Sequence, residues 1–203
     1  METWKAILIG ALGTWLVAIF AIWGEWLRSR LFKPELRVSK GEFSGNVATH
    51  LNGKRARYYL VSVQNPKRFP VAHEVQLVLT RIEKSGTSGP EILFDEIMPL
   101  SWVRQELQPL LTRTVGPDAT AALFFVQDDG MFAFTPMISP AGTLPLHFPR
   151  EHRNANTLWV TLQALSIERD SPAIRLKIEW SGQWRQDKAG IIAACSVSVD
   201  PPP

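Results

Sequence analysis

An uncharged apolar run near the amino terminus limits this chain more than any other feature. From Ala6 to Gly24 there is no charged residue. As a helix, the stretch from Trp4 to Trp26 would be about 33 Å long, against roughly 30 Å for the hydrocarbon core of a bilayer. Trp4 at one end and Trp23 and Trp26 at the other suit the two membrane interfaces. The run therefore predicts a single transmembrane helix and contact with the lipid bilayer.

Two other structures are compatible with such a run. A helix buried in a soluble protein is seldom apolar on every side over this length. A cleavable signal peptide could begin with Lys5, but Ile22 and Trp23 stand where the protease needs small residues. A signal-anchor that stays on the protein is therefore the favoured interpretation.

The charges that flank the run predict its orientation. Only Lys5 precedes it, whereas five cations follow: Arg28, Arg30, Lys33, Arg37 and Lys40. Because positive residues stay inside, we expect the amino terminus outside and the bulk of the chain in the cytoplasm, at the inner or plasma membrane of the cell. We assign Arg28, Arg30 and Lys33, with the three tryptophans, to the membrane interface. The opposite orientation remains an alternative.

Small residues recur on one stripe of the predicted helix, at Ala6, Gly10, Thr14 and Ala18. This spacing would let a second helix approach closely, so it favours a homodimer formed within the membrane. The other interpretation is that small residues are frequent in any membrane helix.

The chain divides into three parts. Pro34 ends the helical pattern, so residues 1–34 form the anchor and its juxtamembrane extension. Residues 35–199 form one domain, and residues 200–203 are a tail too rich in proline to extend a sheet.

Alternation of apolar and polar residues predicts that the domain is mainly β. Tyr59, Val61 and Val63 fall on one face, Asn52-Gly53 marks a hairpin before them, and further strands are expected at 71–82, 92–97, 121–126 and 131–134. Strands over 158–164 and 174–180 should pair antiparallel, and 190–199 should form the last strand. Short strands without interleaved helices favour an antiparallel β-sandwich of immunoglobulin-like architecture, without a disulfide because Cys195 is alone.

No motif in the sequence points to catalysis. There is no nucleophile elbow and no glycine-rich phosphate loop, and His147 and His152 are too few and wrongly spaced for a zinc site. The adjacent carboxylates Asp128 and Asp129 precede Gly130 and fit a turn. We expect no catalytic residue, no cofactor and no metal. A net charge of +3 and a pI near 9.2 fall short of a nucleic-acid binder, so no nucleic acid is expected either.

A long segment from Ser139 to Asn156 is predicted to be a surface loop. Its residues Phe148, Arg150, His152 and Arg153, with Trp184 elsewhere, are the candidate contacts for a protein partner of unknown identity. The leading hypothesis is a membrane-anchored, non-catalytic interaction or recruitment module. The alternatives are a membrane-bound hydrolase with an unrecognised site and an envelope-facing adhesion or assembly domain.

Overall fold

Strands make up most of the described part of the chain. The computed structural model describes residues 14–15, 23–24, 33–49, 53–87, 89–103, 112–136, 144–145, 147–149 and 151–200. The strands, numbered in chain order, are β1 (Arg37–Phe43), β2 (Ala48–Thr49), β3 (Arg55–Gln64), β4 (Ala72–Gly86), β5 (Gly89–Phe94), β6 (Met98–Pro99), β7 (Arg113–Val115), β8 (Asp118–Gln127), β9 (Phe132–Phe134), β10 (Glu151–His152), β11 (Asn156–Leu165), β12 (Ile174–Trp180) and β13 (Cys195–Asp200). One short helix, α1 (Lys188–Ala194), precedes β13.

Most of the predicted anchor lies outside the described residues. Thr14, Trp15, Trp23 and Gly24 have helical backbone, and the three side chains among them are exposed. The other anchor residues singled out above, all outside the described ranges, are Trp4, Ala6, Gly10, Ala18, Trp26, Arg28 and Arg30. Within the described ranges, no helix has the length and hydropathy that crossing a bilayer requires.

The strands form two antiparallel sheets. Sheet 1 has the order β1-β3-β8-β9-β10, with β2 also paired to β3. Sheet 2 has the order β13-β12-β11-β4-β5, with β6 and β7 also paired to β4. The inward side chains of both sheets form one continuous hydrophobic core. Two antiparallel sheets around one core are the arrangement of a β-sandwich, as the sequence pattern predicts.

Alternation in the sequence explains which faces are buried. Tyr59, Val61 and Val63 of β3 are buried, as are Leu158 and Val160 of β11. The residues between them, Leu60, Ser62 and Trp159, lie on the outer faces, because successive side chains of a strand point to opposite sides. The predicted antiparallel pair is confirmed: β11 pairs with β12 and places Val160 opposite Leu176.

The predicted turns also agree with the structure. β1 and β2 both pair antiparallel with β3, as the hairpin signal predicts, although Asn52 lies outside the described residues. The β4–β5 hairpin closes at Gly86 and Gly89. The β8–β9 turn contains Asp128 and Asp129, and its Gly130 has a φ of 80°, which glycine adopts without strain.

The expectation of one strand over 190–199 is wrong. Residues 188–194 form α1, and only Cys195–Asp200 is a strand. The side chain of Asp187 accepts a hydrogen bond from the backbone N–H of Gly190 and so caps the helix. The run Ile191 to Ala194 lacks the alternation of a strand, and its helical conformation buries Ile191 and Ala194 on one side.

The expectation of an uninterrupted loop from Ser139 to Asn156 is also wrong. Glu151–His152 forms β10 and pairs with β9, placing His152 opposite Phe132. The strand expected at 92–97 lies earlier, at Gly89–Phe94, because it pairs with the end of β4 directly across the hairpin.

The two-sheet body has two ends. Residues 33–36, the β3–β4 connection (65–71) and the β11–β12 connection (166–173) lie together at what we call the proximal end. The β8–β9 turn (128–131) and the β12–α1 connection (181–187) lie at the opposite, distal end. There the loops pack closely: a Cβ on Gly130 would lie 3.0 Å from the carbonyl oxygen of Gly182.

Candidate functional site

An apolar groove of about 540 Å³ crosses the outer face of sheet 1. Its floor consists of Tyr58 and Leu60 of β3 and Ala122 of β8. These residues are outward-facing because their neighbours Tyr59 and Val61 point into the core. The groove exists because β3 is apolar on both faces.

Two stretches of backbone wall the groove. One wall is the β1–β2 connection with the start of β2, which contributes Ser44, Asn46 and Ala48. The other is the stretch 101–103, which follows β6. β6 pairs with β4 of sheet 2, and the chain then crosses to β8 of sheet 1, where Trp102 bridges Ala121. This change of sheet raises the second wall beside β8.

Among the described residues, the lining carries few polar groups and no acidic or basic side chain. The hydroxyl of Thr135 donates to the carbonyl oxygen of Ala122 at 2.7 Å, and that of Ser44 donates to the carbonyl oxygen of Asn46 at 2.9 Å. Burial raises the pKa of the Tyr58 phenol, so it stays a neutral hydrogen-bonding group at physiological pH. A few fixed polar groups on an apolar surface are typical of a binding site.

The first wall is held by a buried arginine. Arg57, which is 4 % exposed, donates from Nη1 to the carbonyl oxygens of Ser44 at 2.7 Å and Gly45 at 3.1 Å. A charged donor makes stronger hydrogen bonds than a neutral one, so the guanidinium fixes the turn that carries Ser44 and Asn46.

The second wall presents a strand edge to the groove. The N–H of Val103 donates to the carbonyl oxygen of Thr120, and the N–H of Ala122 donates to that of Ser101. In this antiparallel pattern the backbone N–H and C=O of Trp102, between them, point away from β8. Trp102 itself is 4 % exposed, so its residue forms the inner part of this wall.

The structure separates the residues that the sequence suggested for partner binding. Phe148 is 8 % exposed and packs edge-on against Phe94, with ring centroids 5.0 Å apart, so its ring belongs to the core. His152 is half-buried beside the rings of Phe132 and Phe134. Desolvation by burial lowers its pKa below the ordinary 6.5. Arg150 lies outside the described residues.

The other two candidates lie at the distal end and are not among the residues that line the groove. Arg153 is exposed, and Trp184 is partly buried against the core. Their loops adjoin, since Gly182 lies close to the backbone of Arg153 and Ala155. The groove was missed because residues of six separate strands and connections build it. Tyr58 and Leu60, apolar where alternation calls for polar residues, were the signal that could have revealed it.

The described residues hold no cluster of three or more metal-ligating side chains. The adjacent carboxylates Asp128 and Asp129 serve the β8–β9 turn: Asp129 accepts from the N–H of Met131 at 3.1 Å and pairs with Lys54 at 2.5 Å. The comparisons with known proteins returned no family model, curated protein or solved structure that matches this chain.

Proposed function

We propose that this protein is a membrane-anchored, non-catalytic interaction module that recruits a protein partner. Its domain would be an immunoglobulin-like sandwich behind a single transmembrane helix over residues 6–24. The observation that carries the proposal is the groove on the outer face of sheet 1, since it is an apolar concave surface that the described part of the domain offers to solvent.

The occupant that suits the groove is an extended, uncharged, apolar segment of the partner. The described residues that line it include no acidic or basic side chain, so a charged segment would lose its hydration there without gaining an ion pair. The backbone N–H and C=O of Trp102 point away from β8. A peptide that displaces the cover of this buried residue would pair with them, whereas a lipid chain has no groups with which to do so. The floor residues Tyr58 and Leu60 receive every second side chain of such a segment.

Peptide binding tests this proposal. The full-length protein in detergent is applied to capped hexapeptides built from Gly, Ser, Leu, Val and Phe, and to matched peptides with one central Glu or Lys. We expect binding of the uncharged set, with a loss of tenfold or more for the charged set. Equal binding of both sets, or of neither, would overturn the proposal.

Two variants localise the binding. Leu60→Glu places a charge on the groove floor, and Ala122→Leu fills the floor without charge; both should abolish peptide binding. Thr161→Glu is the matched control, because Thr161 is also a half-buried outward residue but belongs to β11 of sheet 2. Circular dichroism checks that each variant is folded. Loss of binding in Thr161→Glu as well would place the peptide elsewhere.

The orientation is a proposal too. The cations that follow the apolar run favour a cytoplasmic domain. Proteinase treatment of cells that express a C-terminally tagged protein tests this: the tag should be protected in intact cells and digested after the membrane is opened. Digestion in intact cells or spheroplasts would support the envelope-facing alternative.

A homodimer through Ala6, Gly10, Thr14 and Ala18 is a further part of the proposal. Gly10→Ile would place a bulky β-branched side chain on the stripe and should abolish crosslinked dimers. Unchanged crosslinking would remove the homodimer and leave the rest of the proposal intact.

A further inference from the structure

Three segments far apart in sequence form one surface at the proximal end. The backbone N–H of Glu35 donates to the side-chain oxygen of Asn65 at 3.3 Å, and Arg68 pairs with Glu35 at 3.7 Å. The carboxylate of Glu168 accepts from the backbone N–H of His73 at 3.2 Å. These bonds join residues 33–37, the β3–β4 connection and the β11–β12 connection.

Exposed cations dominate this surface. The three segments carry five, all exposed: Lys33, Arg37, Lys67, Arg68 and Arg169. Their three carboxylates have partners within the protein. Glu35 is bonded by Arg37, which holds its pKa below the usual range. Glu168 accepts from His73, and Asp170 accepts from the N–H of Ser166 at 3.0 Å. Three more carboxylates at this end, Glu74, Asp118 and Asp200, lie within strands, as Arg37 does. Asp200 pairs with Arg175 at 3.2 Å.

Apolar side chains stand among the cations. Ile167 is 70 % exposed and Val71 is 45 % exposed, one in each connection. The ring of Phe69 lies beneath the Arg68 guanidinium, 4.9 Å from ring centroid to the guanidinium carbon. Exposed aliphatic groups beside cations are the pattern with which proteins contact the headgroup region of a bilayer.

The path of the chain brings this end close to the membrane if the anchor spans it. Gly24, the last residue of the apolar run, and Lys33 are nine Cα-to-Cα steps apart, with eight residues between them. Fully extended, nine residues reach about 30 Å, whereas β3 alone carries the chain about 33 Å from the distal to the proximal end. The proximal end is thus the one that the tether keeps near the lipid.

We propose that the proximal end docks on an anionic lipid surface. Lys67, Arg68 and Arg169 bind the lipid phosphates, while Ile167 and Val71 enter the boundary between headgroups and acyl chains. The inference rests on the proposed anchor. The docking adds an orientation to the anchored protein: the strands of both sheets stand upright on the membrane, and the distal end points away from the lipid.

Fluorescent labels at the two ends test the docking. Ile167→Cys is labelled with an environment-sensitive nitrobenzoxadiazole dye in the full-length protein, reconstituted into vesicles of phosphatidylcholine, with or without phosphatidylserine. The native Cys195 is buried and stays unlabelled. Ile92→Cys is the matched control, an exposed isoleucine of β5 near the distal end.

We expect the emission of the label at 167 to shift to the blue, and to be quenched by nitroxide lipids, only in the vesicles that contain phosphatidylserine. High salt should reverse the change, because it screens exposed charges. The label at 92 should stay in water. A label at 167 that stays in water with phosphatidylserine, or equal shifts at 167 and 92, would overturn the proposal.

A charge variant adds a second readout. Lys67→Gln with Arg68→Gln, on the Ile167→Cys background, should lower the equilibrium constant for docking about 30-fold, because each of the two cations contributes about 1 kcal/mol of attraction near an anionic leaflet. Lys54→Gln with Arg55→Gln neutralises another Lys-Arg dipeptide, near the distal end, and should leave docking unchanged. Equal losses in both pairs would contradict the proposal.

The anchor is tested separately by alkaline extraction of the same vesicles. Release of the protein at high pH would refute the anchor, whereas the labels report the docking itself at each lipid composition. A protein that resists extraction but keeps the label at 167 in water has an anchor and no docked end.

Discussion

Arg57 donates from Nη2 to the carbonyl oxygen of Gln186 at 2.9 Å and so ties β3 of sheet 1 to the segment before α1. The same guanidinium bonds Ser44 and Gly45 in the groove wall. One buried cation therefore joins three backbone segments at the distal end of the body. Removal of one partner of a buried charged network leaves the other groups without hydrogen bonds.

We expect Arg57→Met to lower the free energy of unfolding by about 2–4 kcal/mol, because three carbonyl oxygens lose a charged donor. Urea unfolding of the full-length protein in detergent measures this change. Arg55→Met is the control: Arg55 is exposed, two residues away on the same strand, and its loss should cost no more than about 0.5 kcal/mol. Equal losses of unfolding free energy in the two variants would show that the three hydrogen bonds of Arg57 contribute no more than a surface arginine does.

Gly41 lies where β1 is irregular, between Ser39 and Glu42. A Cβ on Gly41 would overlap the backbone carbonyl of Leu60 in β3, whereas a Cβ on Gly45 would meet nothing. Gly41→Ala should therefore destabilise the domain by about 2–4 kcal/mol, because β1 must move away from β3. Gly45→Ala should leave stability nearly unchanged. Thermal unfolding compares the melting temperatures of the two variants. Equal melting temperatures would mean that β1 accommodates the methyl group.

Burial raises the pKa of the Cys195 thiol from 9.0 to about 12. The folded protein should therefore resist thiol reagents at pH 8 and react only after denaturation. Above pH 9 the unfolded chain loses this proton while the folded chain keeps it, so stability falls as the pH rises toward 12. Cys195→Ala should remove that part of the decline, and the difference between the two urea curves at pH 7.5 and pH 10 measures it. Rapid labelling of the native protein would contradict the prediction.

Burial lowers the pKa of His152, so this residue affects the stability of the protein at acidic pH rather than at alkaline pH. Below the ordinary value of 6.5, His152 binds a proton in the unfolded chain but stays neutral in the folded chain. Stability should therefore be complete above pH 6.5 and fall as the pH decreases from there. His152→Phe should flatten this dependence between pH 5 and 7, whereas His147→Phe, at an exposed position, should not. Identical slopes in the two variants would refute the assignment.

Alternation of apolar and polar residues predicts a strand well where one of its faces is buried and the other is exposed to solvent. β11 and β12 are such strands, and their pairing follows from the short turn at Asp170 to Pro172. Periodicity failed at α1, because Ile191 to Ala194 carry no alternation and the cap that decides the conformation is a single side chain, Asp187. A capping hydrogen bond is a local feature, but it competes with strand propensity only once the segment is placed in the fold.

The surfaces were beyond reach of sequence patterns for a different reason. The groove combines β3 and β8 with the stretch 101–103, which leaves sheet 2 to join sheet 1. The proximal end combines connections a hundred residues apart. Alternation assigns each residue to a face, but it does not say which strands are neighbours. Lys33 and Arg37, two of the cations that follow the apolar run, were visible in the sequence, whereas their place beside Lys67, Arg68 and Arg169 needed the topology.

The long strand β4 has a consequence for how the protein is made. One of its edges is closed by β11, where Val78 pairs with Gln163, 85 residues later. β4 also pairs with β5, β6 and β7. Until the ribosome has released β11, the other edge of this apolar strand stays open. Such long-range pairing makes folding slow and concerted, so no amino-terminal fragment that stops before β11 should hold a native sheet. The nascent chain will depend on shielding of β4 during synthesis.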